Sequence, residues 1–198
     1  MAKERTAGIS RKTNETDIKV LISLDGKGEC SVHTGIGFFE HMLRLWTRHA
    51  CFDLELTGKG DLFVDAHHTV EDIGICLGQA IKDALGGKAG IARFGQAIVP
   101  MDEALVMTAI DISGRGFLVF EVNFPSQRIG DFDTELVEEF LRALAVNAGL
   151  TLHIRKFSGS NSHHICEVVF KSLGRALRGA VSFDERIKDI PSTKGIIE

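Results

Sequence analysis

Two short stretches hold the residues best suited to chemistry. Asp65-Ala-His-His-Thr-Val-Glu-Asp72 recurs, 96 residues on, as Asn161-Ser-His-His-Ile-Cys-Glu-Val168. Each pairs adjacent histidines with a glutamate three positions after the second. On a helix, i and i+3 share a face, whereas i and i+1 point about 100° apart. His68 with Glu71, and His164 with Glu167, can therefore each grip one metal ion. His67 and His163 must then point elsewhere, toward a second ion held by the other half or by a neighbouring subunit. Imidazole and carboxylate donors without thiolate suit Mn²⁺, Fe²⁺ or Zn²⁺ in an open site, unlike a closed structural zinc site. The order HHxxE is not the HExxH of zinc peptidases, so peptidase chemistry is not indicated.

Other repeats extend the match. Leu77-Gly-Gln-Ala80 pairs with Leu173-Gly-Arg-Ala176, and Glu40-His-Met-Leu-Arg44 with Glu138-Glu-Phe-Leu-Arg142. Leu24-Asp-Gly-Lys-Gly28 pairs with Ile112-Ser-Gly-Arg-Gly116, and Asn14-Glu15 with Asp102-Glu103. Matches in one order and at similar offsets indicate a duplication. His41 then has Glu139 as its counterpart. Pseudo-symmetry predicts one metal site from His41, His68, Glu71 and His163, and another from Glu139, His164, Glu167 and His67.

The elements that must position these residues also repeat. Asp17–Leu24 alternates apolar and polar residues and is rich in β-branched types, which predicts a strand. A glycine turn, a helix over 37–48, a strand over 52–56 and a helix over 69–85 follow, the last ended by Gly86-Gly87. The second half repeats this with a strand over 104–112, helices over 134–148 and 163–181, and a strand over 150–154. Each half is expected to be β, β, helix, β, helix: a sheet with two helices on one face, hence an α+β architecture of two pseudo-symmetric halves. The halves are expected to span 1–92 and 93–198, with Asp65 and Asn161 as N-caps of the metal-bearing helices. His33 and His153 fit strand surfaces, and His49 suits the negative end of the first helix. The charged tail after Ser182 is expected to be loose unless something binds it.

Composition excludes several classes. The 198 residues are 44% hydrophobic and 25% charged, which is ordinary globular composition. The net charge of −4 and the sparse aromatics argue against nucleic acid as partner. The polar first residues carry no secretory signal pattern, no apolar run reaches membrane-spanning length, and the four cysteines form no CxxC pair. A cytoplasmic protein with reduced thiols and no membrane partner is expected.

Arg93 and Arg115 lie near glycine-rich turns and suit forked phosphate binding. Lys171 follows Glu167 by one helical turn, and Pro191-Ser-Thr-Lys-Gly195 offers hydroxyls, a lysine and a flexible glycine. Beside paired metal sites, these residues point to a small phosphate ester as substrate.

The stretches DAHHTVEDIGICLG, SNSHHICEVVFKSLGRALR, GIGFFEHML, IARFG and PSTKG resemble the imidazoleglycerol-phosphate dehydratase family of histidine biosynthesis, from about Arg11 to Gly195. The resemblance implies a duplicated fold like the second domain of ribosomal protein S5. It implies two Mn²⁺ per active site and a homo-oligomer of 24 subunits, octahedral and built from trimers, with active sites between subunits. Carried over by motif, His41, His67, His68, Glu71, His163, His164 and Glu167 are metal ligands, and Glu139 stands where many members have histidine. Glu15, His49, Arg93, Arg115, Lys171, Ser192 and Lys194 are implied to contact substrate.

The implied reaction removes water from D-erythro-imidazole glycerol phosphate and gives imidazole acetol phosphate. The proton lost is not beside a carbonyl, so a metal-stabilised imidazolate would serve as electron sink. Glu15 is the expected acid/base, with the two HHxxE blocks completing the catalytic set. The rival readings are another metal-dependent lyase or isomerase acting on phosphosugars, and a metal-binding or S5-like RNA-binding module. The second of these fits poorly with a negative chain lacking a basic stripe.

Overall fold

The computed structural model describes residues 5–197; the first four residues of the polar start and Glu198 lie outside it. The first half comprises β1 (Thr6–Lys12), β2 (Thr16–Ser23), β3 (Cys30–His33), α1 (Gly37–Ala50), β4 (Asp53–Gly60) and α2 (His67–Leu85). The second comprises β5 (Phe94–Met101), β6 (Ala104–Asp111), β7 (Phe117–Glu121), a small hairpin of β8 (Arg128–Ile129) and β9 (Phe132–Asp133), then α3 (Glu135–Ala148), β10 (Thr151–Ser158) and α4 (Ser162–Val181). The sheets are ordered β1-β2-β4-β3 and β5-β6-β10-β7, so the duplication holds strand for strand.

The main sheet of each half has one strand more than β, β, helix, β, helix provides. The short strands β3 and β7 pair in parallel with β4 and β10. Four residues between glycine-rich turns are too few for β3 to display an alternating pattern. The β8–β9 hairpin has no counterpart in the first half.

Burial follows the sequence pattern. Ile18, Val20 and Ile22 of β2 and Leu54 and Leu56 of β4 face inward. Phe39, Met42, Leu43, Trp46 and Ala50 make the buried stripe of α1 at helical spacing. α2 covers β1 and β2, and α4 covers β5 and β6. Across the halves α2 packs on α3 and α1 on α4, so one apolar core runs through both. Two matched glycines permit these crossings. A Cβ on Gly78 would lie 2.7 Å from the Leu144 carbonyl oxygen of α3, and one on Gly174 would lie 2.6 Å from that of Trp46 in α1.

The tail is not loose. Ile91 bridges Phe183, the Gly90 amide donates to the Asp189 carbonyl at 2.9 Å, and the Lys88 ammonium donates to the Ile197 carbonyl at 2.9 Å. Backbone pairing along 88–93 supplies the anchors that the tail's own side chains lack. No described helix is long and apolar enough to cross a membrane.

Candidate active site

The two HHxxE blocks open α2 and α4, as helix geometry requires. Asn161 caps α4 and its side chain accepts from the His163 amide at 2.9 Å. α2 is shifted by one residue: Ala66 is the cap residue, and Asp65, expected there, accepts from the His67 amide at 2.7 Å. Within each pair the imidazoles stand nearly perpendicular. The rings of His67 and His68 are 6.2 Å apart at 87°, and those of His163 and His164 are 6.4 Å apart at 85°.

The structure brings three predicted ligands together. His41 Nε2 lies 3.2 Å and His163 Nε2 3.0 Å from Glu167 Oε1. Their ligand atoms all fall within 4.8 Å of one another. This corrects the predicted grouping, in which Glu167 joined His164 while His41 and His163 joined His68 and Glu71. Residues i and i+4 are only about 40° apart around a helix, against about 60° for i and i+3. Glu167 therefore turns to His163 rather than to His164. His67, His68, Glu71, Glu139 and His164 form no second such group among the described residues.

Glu167 is buried, and burial acts to raise its pKa. Hydrogen bonds from Lys171, His41 and His163 override that and hold it at about 2. Lys171 Nζ sits 2.7 Å from Glu167 Oε2. Two imidazole nitrogens and an ionised carboxylate, with no thiol, form a donor set of the kind predicted for a divalent ion.

Two carboxylates missed by sequence reasoning orient the other histidines. Asp61, just after β4, lies 3.0 Å from His68 Nδ1. Glu103, in the β5–β6 turn, lies 2.9 Å from His164 Nδ1 and accepts from the Ser160 and Asn161 amides. Each hydrogen bond raises its histidine's pKa, and Glu103 is held at about 2, chiefly by His164. A carboxylate on Nδ1 fixes the tautomer that leaves Nε2 free for an ion. The repeat that pairs Glu103 with Glu15 was the available signal for Glu103; Asp61 had none. Glu15 is exposed in the β1–β2 turn, and its charge also acts on His68.

Four of the seven predicted substrate contacts share one cavity. Arg93, Arg115, Ser192 and Lys194 line a space of about 530 Å³ with Ser113 and Thr193. Arg93 donates to Asp111 from Nε at 2.7 Å and to the Pro191 carbonyl at 2.8 Å, which ties the tail to the cavity. His49 and Lys171 lie elsewhere, where α1 meets α4. Burial lowers the pKa of His49, helped by Lys171 and Arg175. Glu15 belongs to neither place. His33 and His153 are exposed on strands, as expected.

Comparison with known proteins shows the family. The profile of the imidazoleglycerol-phosphate dehydratase family matches residues 34–177. The imidazoleglycerol-phosphate dehydratase of Pelotomaculum thermopropionicum is 60% identical over 191 residues, covering 96% of this chain and 97% of that protein. That of Desulforamulus reducens is 58% identical over 193 residues, covering 98% of each. The crystal structure of the Staphylococcus aureus dehydratase superposes with a TM-score of 0.82 at 39% identity, covering 90% of this chain and 99% of that one. The Pyrococcus furiosus enzyme, in complex with (S)-C348, gives 0.82 at 41% identity, covering 95% and 99%. The chain therefore belongs to the imidazoleglycerol-phosphate dehydratase family, the hydro-lyases of the dehydration step in histidine biosynthesis.

Proposed function

We propose that this chain dehydrates D-erythro-imidazole glycerol phosphate to imidazole acetol phosphate in the cytoplasm, with two manganese ions per active site. The observation that carries this is the pair of HHxxE helix starts, one of which closes with His41 into a cluster of two nitrogens and one oxygen. That donor set fits manganese, which takes imidazole and carboxylate readily and does not need thiolate. His41, His163 and Glu167 hold one ion. His68 and His164 are ligands whose free nitrogens are set by Asp61 and Glu103. His67, Glu71 and Glu139 complete the two sites. Bound manganese supplies Lewis acidity that makes the substrate's imidazole ring a better electron sink.

The chain's own groups do the rest. Glu15 takes the proton from the carbon next to the ring-bearing carbon and delivers it to the hydroxyl on the ring-bearing carbon, which leaves as water. The enol so formed becomes the ketone. Arg115 and Lys194, with Ser192 and Arg93, present charge and hydrogen bonds to the phosphate in the 530 Å³ cavity. His49 and Lys171 add further substrate contacts.

These groups occupy three separate places on one chain, and only one three-ligand cluster closes among the described residues. That dispersal supports active sites built between subunits, in a 24-subunit octahedral assembly of trimers. Exposed apolar side chains supply surface for such contacts: Phe63 is 92% exposed, and Phe94, Ile98 and Phe117 are also exposed. The test is turnover of imidazole glycerol phosphate by metal-stripped protein before and after Mn²⁺ is returned. Activity lost on stripping and regained with Mn²⁺ is the expected result. Full manganese binding without product would overturn the assignment of substrate.

A further inference from the structure

The junction between the first hairpin and α2 carries three polar residues at positions where the second half has apolar ones. Asp72 is buried at 8% exposure. Its Oδ2 accepts from Arg11 NH1 at 2.7 Å and from the Thr16 hydroxyl. Thr16 is itself buried, and its hydroxyl lies 3.2 Å from Thr13 Oγ1. Thr13 Oγ1 in turn accepts from the amides of Glu15 at 3.1 Å and Thr16 at 3.0 Å. A chain of hydrogen bonds thus runs from the first turns of α2 to the backbone of Glu15.

The repeat offers an internal control. By the offsets of the matched motifs and the strand registers, Arg11, Thr16 and Asp72 correspond to Val99, Ala104 and Val168. Ala104 and Val168 are buried, and Val99 is partly buried against the core. At these three positions the same strand–helix contact is therefore made by apolar side chains. Buried ion pairs replaced by apolar residues are often neutral or stabilising, so the fold alone does not require this network. The hairpin acids differ as well. Glu103 is clamped directly through Ser160, Asn161 and His164, whereas the Glu15 carboxylate makes no hydrogen bond among the described residues.

We propose that the buried Arg11–Asp72–Thr16 network is a positioning device for the reaction: it fixes the backbone of the β1–β2 turn against α2 while leaving the Glu15 carboxylate free. This rests on the reading of Glu15 as acid/base. The device acts on the chemical step and not on metal binding, because its hydrogen bonds lead to the turn and not to a ligand atom.

The test compares Thr16→Val, which keeps the shape and removes the hydroxyl, with Thr16→Ser, which keeps the hydroxyl. Full-length, manganese-loaded enzyme is used, with kcat, KM, bound manganese and Tm recorded. Thr16→Val is expected to lower kcat about 10- to 100-fold, with KM and manganese content near wild type. Thr16→Ser is expected to restore kcat. The triple variant R11V/T16A/D72V, which installs the second half's residues, is expected to fold and to show the same loss. In a Glu15→Gln background, Thr16→Val should add no further loss. Wild-type kcat in Thr16→Val or in the triple variant would overturn the proposal, as would manganese lost in parallel with kcat. Near-full turnover of Glu15→Gln alone would instead overturn the acid/base reading, so the two failures are distinguishable.

Discussion

Glu15 and Glu103 occupy equivalent hairpin turns in the two halves, and His68 and His164 occupy equivalent first turns of α2 and α4. Both histidines have a carboxylate on Nδ1, yet the carboxylates are not equivalent. His164 takes Glu103 from the hairpin, whereas His68 takes Asp61 from the end of β4. The second half has no acidic residue between β10 and α4, where Gly159, Ser160 and Asn161 stand. Duplication supplied two hairpin acids, and only the second is committed to orienting a histidine. Asp61 releases Glu15 from that task, so a carboxylate stands beside the first histidine pair with its charge unused. The metal-ligand clusters diverge in the same manner. Glu167 has Lys171 one turn on, but Glu71 has Ile75 there, and the counterpart of His41 is Glu139. In the first cluster two imidazoles and an ammonium surround one carboxylate; the matching set has two carboxylates, one imidazole and no ammonium, and it closes into no such cluster among the described residues.

The sharpest way to break this comparison is to remove each hairpin acid in turn. Glu15→Gln is expected to lower kcat about 10²- to 10⁴-fold, the usual contribution of a positioned acid/base, with manganese content unchanged. Glu103→Gln should act differently, weakening manganese affinity about 10- to 100-fold because His164 loses its orienting carboxylate. Titrating stripped enzyme with Mn²⁺ while following turnover separates the two. If Glu103→Gln impaired only kcat at saturating metal, the division of labour between the turns would be wrong.

Lys171→Met removes the cation that only the second half possesses. Glu167 is then left buried with only imidazoles as its partners, and a buried carboxylate without its cation is costly. Metal-free protein should lose about 1–3 kcal/mol in denaturant unfolding. Saturating Mn²⁺ should narrow that gap, because an ion that binds only the folded state stabilises it and supplies the missing charge. An undiminished gap in the loaded protein would argue that Lys171 serves packing rather than charge.

How much of this was legible depended on whether a signal was periodic or paired. The helices, the strands β2, β4, β6 and β10 and the duplication appear in the sequence because apolar spacing and repeated motifs encode them directly, whereas β1 and β5 were not placed. β3 did not appear either, since four residues between turns show no period. Candidate ligands were identifiable by type, but their grouping turned on 163-to-167 spacing, where i+4 prevailed over the assumed i+3. Asp61 and the Arg11–Asp72–Thr16 network were invisible for another reason. Their partners are 7, 56 and 61 residues away in sequence, and nothing local marks an aspartate as an orienting group. The tail's order likewise rests on backbone pairing that side-chain composition does not report.

The smallest expected effect concerns the turns at the opposite end of the sheets. Asp53 Oδ1 accepts from the amides of Lys27, Gly28 and Glu29 at 2.8–3.0 Å. At the matching position Thr151 uses a hydroxyl, 2.9 Å from Ser113 Oγ, to hold the corresponding loop. One turn is therefore pinned by a charge and the other by neutral groups. Burial acts to raise the pKa of Asp53, but the three amides outweigh it and keep the carboxyl below its usual 3.8. A depressed folded-state pKa gives stabilisation that is complete above the unfolded value and is lost as pH falls through the folded one. Asp53→Asn should thus destabilise metal-free protein by about 1 kcal/mol at pH 7, the exposure of the turn reducing the value of its charged hydrogen bonds. The difference from wild type should close as the pH falls below 3.8. Thr151→Val should cost about the same at pH 7, with no such closing, since a hydroxyl does not titrate in this range. Denaturant unfolding of the three proteins at both ends of that range decides it: a pH-independent gap for Asp53→Asn would mean that the turn is held by shape, as in the second half, and not by charge.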